Sequence, residues 1–152
     1  MRDPTPCKLC GQDQAFPGEV LERWTFGDLS IAVAMPATVC EACGESLVAS
    51  NDLARAENAV TRALIDAGST DPHAIRWLRK GAGLRANELA ELLGVAPETV
   101  SRWEHGSRSI DRAALALLAG LALDVLDGVT TTRDRLRALG AHPATGEVRA
   151  VA

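Results

Sequence analysis

No run of apolar residues in this 152-residue chain reaches the roughly 18 that a membrane-spanning helix needs. The first residues, from Met1 to Cys7, also lack the apolar stretch of a secretory signal peptide. No internal repeat is evident, and the composition of 47% apolar and 24% charged residues is ordinary for a globular protein. We therefore expect a cytoplasmic protein of one or two small domains with no membrane partner.

The chain also lacks the overall basic excess of many nucleic-acid binders, because its net charge is −4. That charge is unevenly distributed. Residues 1–68 carry 5 basic and 10 acidic side chains, whereas residues 69–152 carry 11 basic and 10 acidic ones. An acidic half beside a nearly neutral, arginine-rich half suits two partners of different charge. A DNA-binding face needs only a local basic patch, so DNA remains a candidate partner.

Cysteine is scarce, and the four cysteines form two Cys-x-x-Cys motifs that are each followed by glycine. Glycine tolerates the positive φ angle of a tight knuckle in which both sulfurs point at one ion. In a reducing compartment, four such cysteines are metal ligands more often than disulfides. The sequence predicts one structural Zn²⁺ per chain, in a closed site without an open catalytic position. The predicted ligands are Cys7, Cys10, Cys40 and Cys43.

A Cys-x-x-Cys motif can instead be the redox pair of a thiol oxidoreductase. No βαβ pattern surrounds either motif, and no histidine–carboxylate constellation indicates another catalytic site. A closed zinc site also leaves no free thiolate. We therefore predict that the protein is not an enzyme, with the oxidoreductase as an alternative.

The segment between the two motifs contains a hairpin signal. Residues 19–26 and 29–35 flank Gly27-Asp28, which suits a two-residue β-turn. From Leu47 to Ala67, apolar residues recur at steps of three and four, which predicts a helix. The sequence thus predicts an α+β zinc domain at residues 1–67, with a four-cysteine site, a β-hairpin and a trailing helix, followed by a linker at 68–72.

The second half contains the pattern of a helix-turn-helix between Ala86 and His105. Gly94 stands where the turn closes, and Pro97 stands at the start of the second helix, where its missing N–H costs nothing. A preceding helix, capped by Asp71, completes the predicted all-α domain, which spans residues 73–139. The residues predicted to face its shared core are Leu89, Leu93, Val95, Val100 and Trp103.

The second helix of this motif would leave one face exposed. In a helix-turn-helix, that helix enters the major groove of DNA with its N-terminus first. Arg102 can reach guanine O6 and N7, and Glu98 can accept from cytosine N4. Thr99, Ser101 and Arg108 suit phosphate contacts, which set register rather than sequence. The predicted DNA-binding residues are Pro97, Glu98, Thr99, Ser101, Arg102 and Arg108. A surface ion pair between Glu98 and Arg102 is the alternative.

The segment from Arg112 to Leu126, capped by Asp111, is apolar on almost every side. A surface helix shows a single apolar stripe. We therefore expect either a fully buried helix or a helix that contributes to a homodimer interface. A short last helix is predicted at about Thr131–Leu139, followed by a loose C-terminal tail at 140–152.

With these motifs the chain resembles the MqsA-type (YgiT-type) antitoxins, which join an N-terminal zinc domain to a C-terminal helix-turn-helix of the XRE type. The segments in which the resemblance is most evident are residues 7–11, 36–45 and 94–106, and the resemblance extends to about residue 127. It implies a homodimer joined through the C-terminal domains, a palindromic double-stranded DNA operator and an mRNA-cleaving toxin held by the zinc domain. In the family, an asparagine and an arginine of the recognition helix read bases. The arginine position matches Arg102, and the asparagine position is Glu98 here.

The predicted function is therefore a sequence-specific DNA-binding transcriptional repressor. It would be the antitoxin of a type II toxin–antitoxin pair, and it would autoregulate its operon and neutralise the toxin through its zinc domain. The alternative is a stand-alone zinc-containing XRE-type regulator without a toxin, which the absence of a toxin-like neighbouring gene would favour. A protein–protein adaptor that uses the same fold without DNA is a third possibility, and salt-dependent operator binding would exclude it.

Overall fold

The computed structural model describes residues 3–140, which form two compact units, one up to Ala67 and one from Gly68. The predicted C-terminal tail lies outside the described residues, except for Gly140. No helix in the described range is long and apolar enough to cross a membrane.

The first unit contains a three-stranded antiparallel sheet. Strands β1 (Ala15–Phe26) and β2 (Leu29–Cys40) form a long hairpin, and β3 (Ser46–Val48) pairs with the end of β2. Gly27 has a φ of 56° in the hairpin turn, a left-handed conformation that glycine adopts without steric cost. The predicted hairpin is confirmed, and its strands continue beyond the predicted segments to the cysteine motifs.

Helix α1 (Ser50–Ala67) follows the sheet and packs against β2. Its buried residues recur at the predicted helical steps and are Ala56, Val60, Thr61 and Leu64. The prediction that this helix starts at Leu47 was wrong. Residues 46–48 instead pair with residues 37–39 at the edge of β2. Backbone pairing with that edge outweighs the helical periodicity of so short a segment.

The described part of the second unit, residues 68–140, contains five helices: α2 (Pro72–Gly81), α3 (Ala86–Leu93), α4 (Pro97–Glu104), α5 (Arg112–Asp127) and α6 (Thr131–Gly140). Asp71 caps α2 by accepting from the N–H groups of His73 and Ala74, and Asp111 caps α5 by accepting from Ala114 N–H at 2.9 Å. Both caps agree with the prediction from the sequence. Each satisfies backbone donors that would otherwise be unpaired.

The core of this unit is built where α2 packs on α4 and α5, and where α3 packs on α4 and α6. Of the residues predicted to face it, Leu89, Val100 and Trp103 are buried, whereas Leu93 and Val95 are half-buried. Other fully buried side chains include Ile75, Leu78, Leu118 and Leu121.

Helix α5 is buried on one side. Its buried apolar residues are Ala114, Leu118, Leu121 and Ala122. On the other side, Ala113, Ala116 and Leu117 are exposed, with Leu117 at 36%. The sequence analysis offered a fully buried helix as one of two alternatives for this segment. That prediction is wrong for the single chain, because no described element covers this side of α5.

Candidate metal centre and nucleic-acid interface

The two cysteine motifs fold into knuckles with the same backbone geometry. In each, the N–H of the first cysteine donates to the C=O five residues on, and the N–H of the following glycine donates to the C=O of that cysteine. These bonds measure 2.8 Å in the first knuckle and 2.9 Å in the second. Gly11 has a φ of 77° and Gly44 a φ of 75°, and a Cβ at either would meet no atom within 4 Å. Backbone conformation, rather than space, therefore requires glycine, as predicted.

The long hairpin brings these knuckles together although 29 residues separate Cys10 from Cys40. The β1–β2 register places Ala15 opposite Cys40. Thr5 pairs with Ala15 through two backbone hydrogen bonds of 2.9 and 3.1 Å. A further bond, from Glu41 N–H to the C=O of Gln14 at 2.9 Å, ties the second knuckle to the chain leaving the first. Strand pairing thus sets the distance between the two pairs of sulfurs.

The four sulfurs lie within 4.8 Å of one another. Cys7 Sγ is 3.9 Å from Cys43 Sγ, and Cys10 Sγ is 3.7 Å from Cys40 Sγ. A tetrahedral zinc ion with Zn–S bonds of about 2.3 Å places its sulfurs about 3.8 Å apart. A disulfide would need about 2.0 Å. The spacing therefore fits one zinc ion with four thiolate ligands, and it leaves no ligand position open for catalysis.

The surroundings of the sulfurs also fit a cation. Backbone hydrogen bonds at Cys10 and Leu9 lower the pKa of the Cys7 thiol to about 6. At Cys43 a backbone hydrogen bond from Glu45 lowers the pKa, but burial and the three neighbouring thiols outweigh it and raise the pKa to about 12. Four thiolates this close repel one another, so all four ionise together only around a positive ion. The arrangement is that of a structural zinc site.

The second candidate site is built on α4. Helix α3 ends at Leu93, and Gly94, with a φ of 66°, caps its C-terminus. Pro97 is the first residue of α4. Val100 and Trp103, at 0% and 2% exposure, anchor α4 in the core, and α4 packs on both α2 and α3. The opposite side of this short helix is consequently held at the surface.

A buried ion pair fixes the C-terminal end of α4, and sequence reasoning missed it. Glu104 accepts hydrogen bonds from Arg79 Nη2 at 3.1 Å, from Arg79 Nε at 2.5 Å and from Arg76 Nε at 3.3 Å. Arg79 Nη1 also donates to Leu84 C=O at 2.7 Å. Burial raises the pKa of Glu104, but the hydrogen bonds and charge of Arg79, and then of Arg76, outweigh it and hold this pKa below its ordinary value. The sequence offered one signal for this ion pair, because Glu104 directly follows Trp103, which was predicted to face the core.

The structure places the predicted DNA-contact residues around one surface of α4. Pro97, Glu98, Ser101 and Arg102 are exposed, Thr99 is half-buried, and Arg108 is exposed just beyond the helix. The C=O of Arg102 accepts from the N–H groups of Ser107 and Arg108 at 3.1 and 3.3 Å. This bonding folds the chain back at the end of α4 and sets the start of the following loop.

No ion pair joins Glu98 to Arg102 within residues 3–140. Neither side chain makes a hydrogen bond to another described residue. The surface ion pair considered from the sequence is therefore absent there. Both charged groups remain available to a partner.

Comparison with known families agrees with this arrangement. A family model described as the antitoxin component of bacterial toxin-antitoxin system, MqsA, matches residues 5–126. Comparison with curated proteins gives no match. The matched residues include both knuckles, the sheet, α1 to α4 and nearly all of α5, and α6 follows them. The chain belongs to the MqsA antitoxin family, the antitoxin component of bacterial toxin–antitoxin systems.

Proposed function

We propose that this protein is a DNA-binding transcriptional repressor and the antitoxin of a type II toxin–antitoxin pair. It reads a palindromic operator as a homodimer and neutralises an mRNA-cleaving toxin through its zinc-containing unit. One observation carries the DNA-binding part of the proposal. Helix α4 is anchored on its buried side by Val100, Trp103 and Glu104. Its opposite side presents Glu98 and Arg102, whose side chains have no hydrogen-bond or ion-pair partner among residues 3–140. A rigid helix with free polar side chains is what base reading requires.

In this proposal the side chains on α4 and just beyond it contact different parts of the DNA. Arg102 donates to guanine O6 and N7, and Glu98 accepts from cytosine N4. Thr99, Ser101 and Arg108 contact phosphates and set the register of the helix. Pro97 lies at the leading end of the helix, where its ring can pack on the DNA backbone.

The test compares arginine variants on DNA fragments selected by the purified protein. Arg102→Ala is expected to weaken binding to the selected site by about 1–3 kcal/mol and to relax the preference at one base pair. Arg108→Ala should weaken binding to all sequences alike and reduce the salt slope by about 1. Arg135→Ala, an exposed arginine on α6, is the control. Unchanged affinity and site preference in Arg102→Ala would reject this recognition face.

The homodimer is proposed on the exposed side of α5. Ala113, Ala116 and Leu117 form a small apolar surface that no described element covers. Small residues allow two helices to approach closely, and Leu117 provides apolar area to bury. A two-fold dimer through this helix would present two copies of α4 to two half-sites.

The toxin contact is proposed on the outward face of the hairpin between Glu19 and Met35. Leu21 is 57% exposed there and lies opposite Ala34. The outward positions of β2 beside it, Ala32, Ala34 and Pro36, carry no charge and are exposed. The acidic first half of the chain complements the basic surface that an RNA-cleaving toxin needs to hold RNA, which speeds association.

The corresponding experiment captures the product of the adjacent gene on the full-length protein. Leu21→Glu should weaken capture, whereas Leu53→Glu, a leucine exposed on α1, should not. Co-expression of the wild-type chain should restore growth to cells that make the adjacent product. If that product is non-toxic and is not retained, a stand-alone regulator takes the place of the antitoxin.

A further inference from the structure

Beside the metal centre, the first unit contains a cavity of about 340 Å³ that the proposed functions do not use. The segment around Thr5 and Pro6 borders it on one side, and β3, with Leu47, borders it on the other. Two backbone hydrogen bonds between Thr5 and Ala15 hold the first border in place. Pairing of Leu47 with Thr38 holds the second. The cavity is therefore preformed by the sheet rather than by loose loops.

The walls of this cavity differ in chemistry. Pro6 and Leu47 provide apolar surface, whereas Cys7, Cys40 and Glu45 provide sulfur and carboxylate. Once zinc is bound, the sulfurs belong to a centre whose four thiolates outnumber the charge of one divalent cation. The metal centre is then net negative, and Glu45 adds a further negative charge.

Acidic residues also concentrate around this end of the unit. The described charged residues before β1 and in the second knuckle include one base, Lys8, and the acids Asp3, Asp13, Glu41 and Glu45. All five side chains are exposed. Of these five residues, Glu45 and Lys8 line the cavity itself. The excess of acids over bases in the segments that carry the knuckles favours a positive group at this end of the unit.

We propose that this cavity receives an arginine or lysine side chain from the protein partner of the zinc-containing unit. The aliphatic stem of that side chain packs on Pro6 and Leu47, and its charged head lies toward Glu45 and the thiolates. This inference rests on the proposed toxin partnership, and it names the chemistry of one contact. The cavity volume of about 340 Å³ lies at the small end of the range for ligand cavities, about 300–1,000 Å³. The cavity therefore suits a small group, such as a single side chain.

Lys8 offers an internal check on this assignment. It lines the same cavity and is the one basic residue among its lining residues. Its ammonium group opposes the entry of a second cation. Removing that charge should therefore strengthen binding of a basic side chain, whereas removing the negative charge of Glu45 should weaken it.

The first experiment uses methyl NMR of the full-length, zinc-loaded protein, titrated with Nα-acetyl-arginine amide. The methyl signals of Leu47 should shift saturably. They should shift much less with Nα-acetyl-norleucine amide, which has a stem without a charge, and with Nα-acetyl-glutamate amide. Equal shifts with the norleucine compound would show that the cavity binds apolar groups without selecting for positive charge. If no compound shifts the signals, the cavity does not bind such side chains. Either result overturns the proposal.

The second experiment measures affinity for the adjacent-gene product. Glu45→Arg should weaken binding about tenfold or more beyond the effect of Glu22→Arg. Glu22 is exposed, and its pairing with Val33 places it on the opposite face of the sheet from Thr38 and Cys40. Both variants change the net charge equally, so their difference isolates the cavity. Lys8→Gln should bind more tightly than wild type, because it removes the positive charge that opposes the incoming cation.

The two experiments separate the two possible failures. If the adjacent product does not bind the wild-type chain, the toxin partnership fails, and the NMR titration alone decides the cavity. If it binds but Glu45→Arg and Glu22→Arg weaken binding equally, the cavity is not the contact and the inference is overturned.

Discussion

Glu104 shows how one buried charge positions a surface used for binding. Glu104 is 7% exposed, and its carboxylate joins the end of α4 to Arg76 and Arg79 on α2. Replacing a buried ion pair by apolar residues can be neutral, but removing one partner strands the other charge in the core. The expected consequence is loss of stability together with loss of the fixed orientation of α4.

We predict that Glu104→Gln lowers the free energy of unfolding by about 3 kcal/mol at pH 7. The pKa of Glu104 is lowered in the folded state, so its contribution is fully present above the unfolded carboxyl pKa of about 4.3. That contribution is lost as the pH falls through the lower folded pKa. The stability difference between wild type and variant should therefore shrink below about pH 4.

Urea unfolding at several pH values measures this difference. Glu91→Gln, at an exposed position on α3, is the matched control and should lose little stability at any pH. The explanation is wrong if Glu104→Gln keeps the same deficit from pH 7 down to pH 3.

Helix α6 illustrates how one element depends on another, because it has no buried residue of its own. It is held by the buried Asp124 of α5, which accepts from Thr132 N–H at 2.7 Å, Thr132 Oγ1 at 3.1 Å and Arg133 N–H at 3.3 Å. Arg133 also donates to Ala82 C=O at 2.8 Å. At Gly120, a Cβ would lie 3.1 Å from Thr132 Oγ1 and 3.2 Å from Thr132 Cγ2. Glycine on α5 thus makes room for the first turn of α6.

The effect of Gly120→Ala should change sign with residue 132. Alanine in a helix interior is favoured over glycine by about 1 kcal/mol. In the wild-type background, Thr132 cannot move away without losing its bonds to Asp124, so Gly120→Ala should destabilise the protein. In a Thr132→Ala background, the obstructing atoms are gone, and the same change should stabilise it by about 1 kcal/mol. A double-mutant cycle by thermal or urea unfolding measures the coupling. Additive effects would show that the two residues do not compete for space.

The two units differ in what stabilises them. The first has the four-thiolate site at one end of a sheet and a small apolar core between β2 and α1, whereas the second has a larger buried apolar core shared by its helices. Small domains with limited cores commonly use metal binding as folding energy. The two units should consequently respond differently to metal removal.

We predict that a strong chelator unfolds the first unit and leaves the second folded. Methyl NMR can follow both at once, with Leu47 reporting on the zinc end of the sheet and Leu118 on the helical core. The Leu47 signals should move to unfolded positions and return when zinc is restored, whereas the Leu118 signals persist. Cys43→Ser should have the same effect without chelator. Loss of both sets of signals would mean that the second unit requires the metal as well.

The proposed dimer gives a second prediction for the assembled protein. Leu117→Glu places a charge on the exposed side of α5 and should convert a dimer to monomers in sedimentation experiments, because a buried unpaired charge is costly. Leu139→Glu, at an 82% exposed leucine on α6, is the control and should leave the dimer intact. A wild-type monomer, or a dimer that survives Leu117→Glu, would place the interface elsewhere or remove it.

Features with local causes were predictable from the sequence. The knuckle glycines follow from the positive φ of a tight turn, and Pro97 and the aspartate caps follow from unpaired N–H groups at helix starts. The hairpin and the four-cysteine site were also predicted correctly from their motifs. Membership of the MqsA antitoxin family was identified correctly from the resemblance of the combined motifs. Each of these depends on residues a few positions apart or on a motif that repeats within the chain.

Other features depend on residues that meet only in the folded chain. Ser46–Val48 became a strand because the edge of β2 was available, and Leu93 and Val95 are half-buried because of what packs around them. Glu104 is buried because Arg79, 25 positions away, compensates its charge. The exposed side of α5 is likewise set by where α2 and α6 pack. Pairing partners and burial are properties of distant contacts, so the tertiary structure decided them, whereas turns and caps are short-range and the sequence alone determined them.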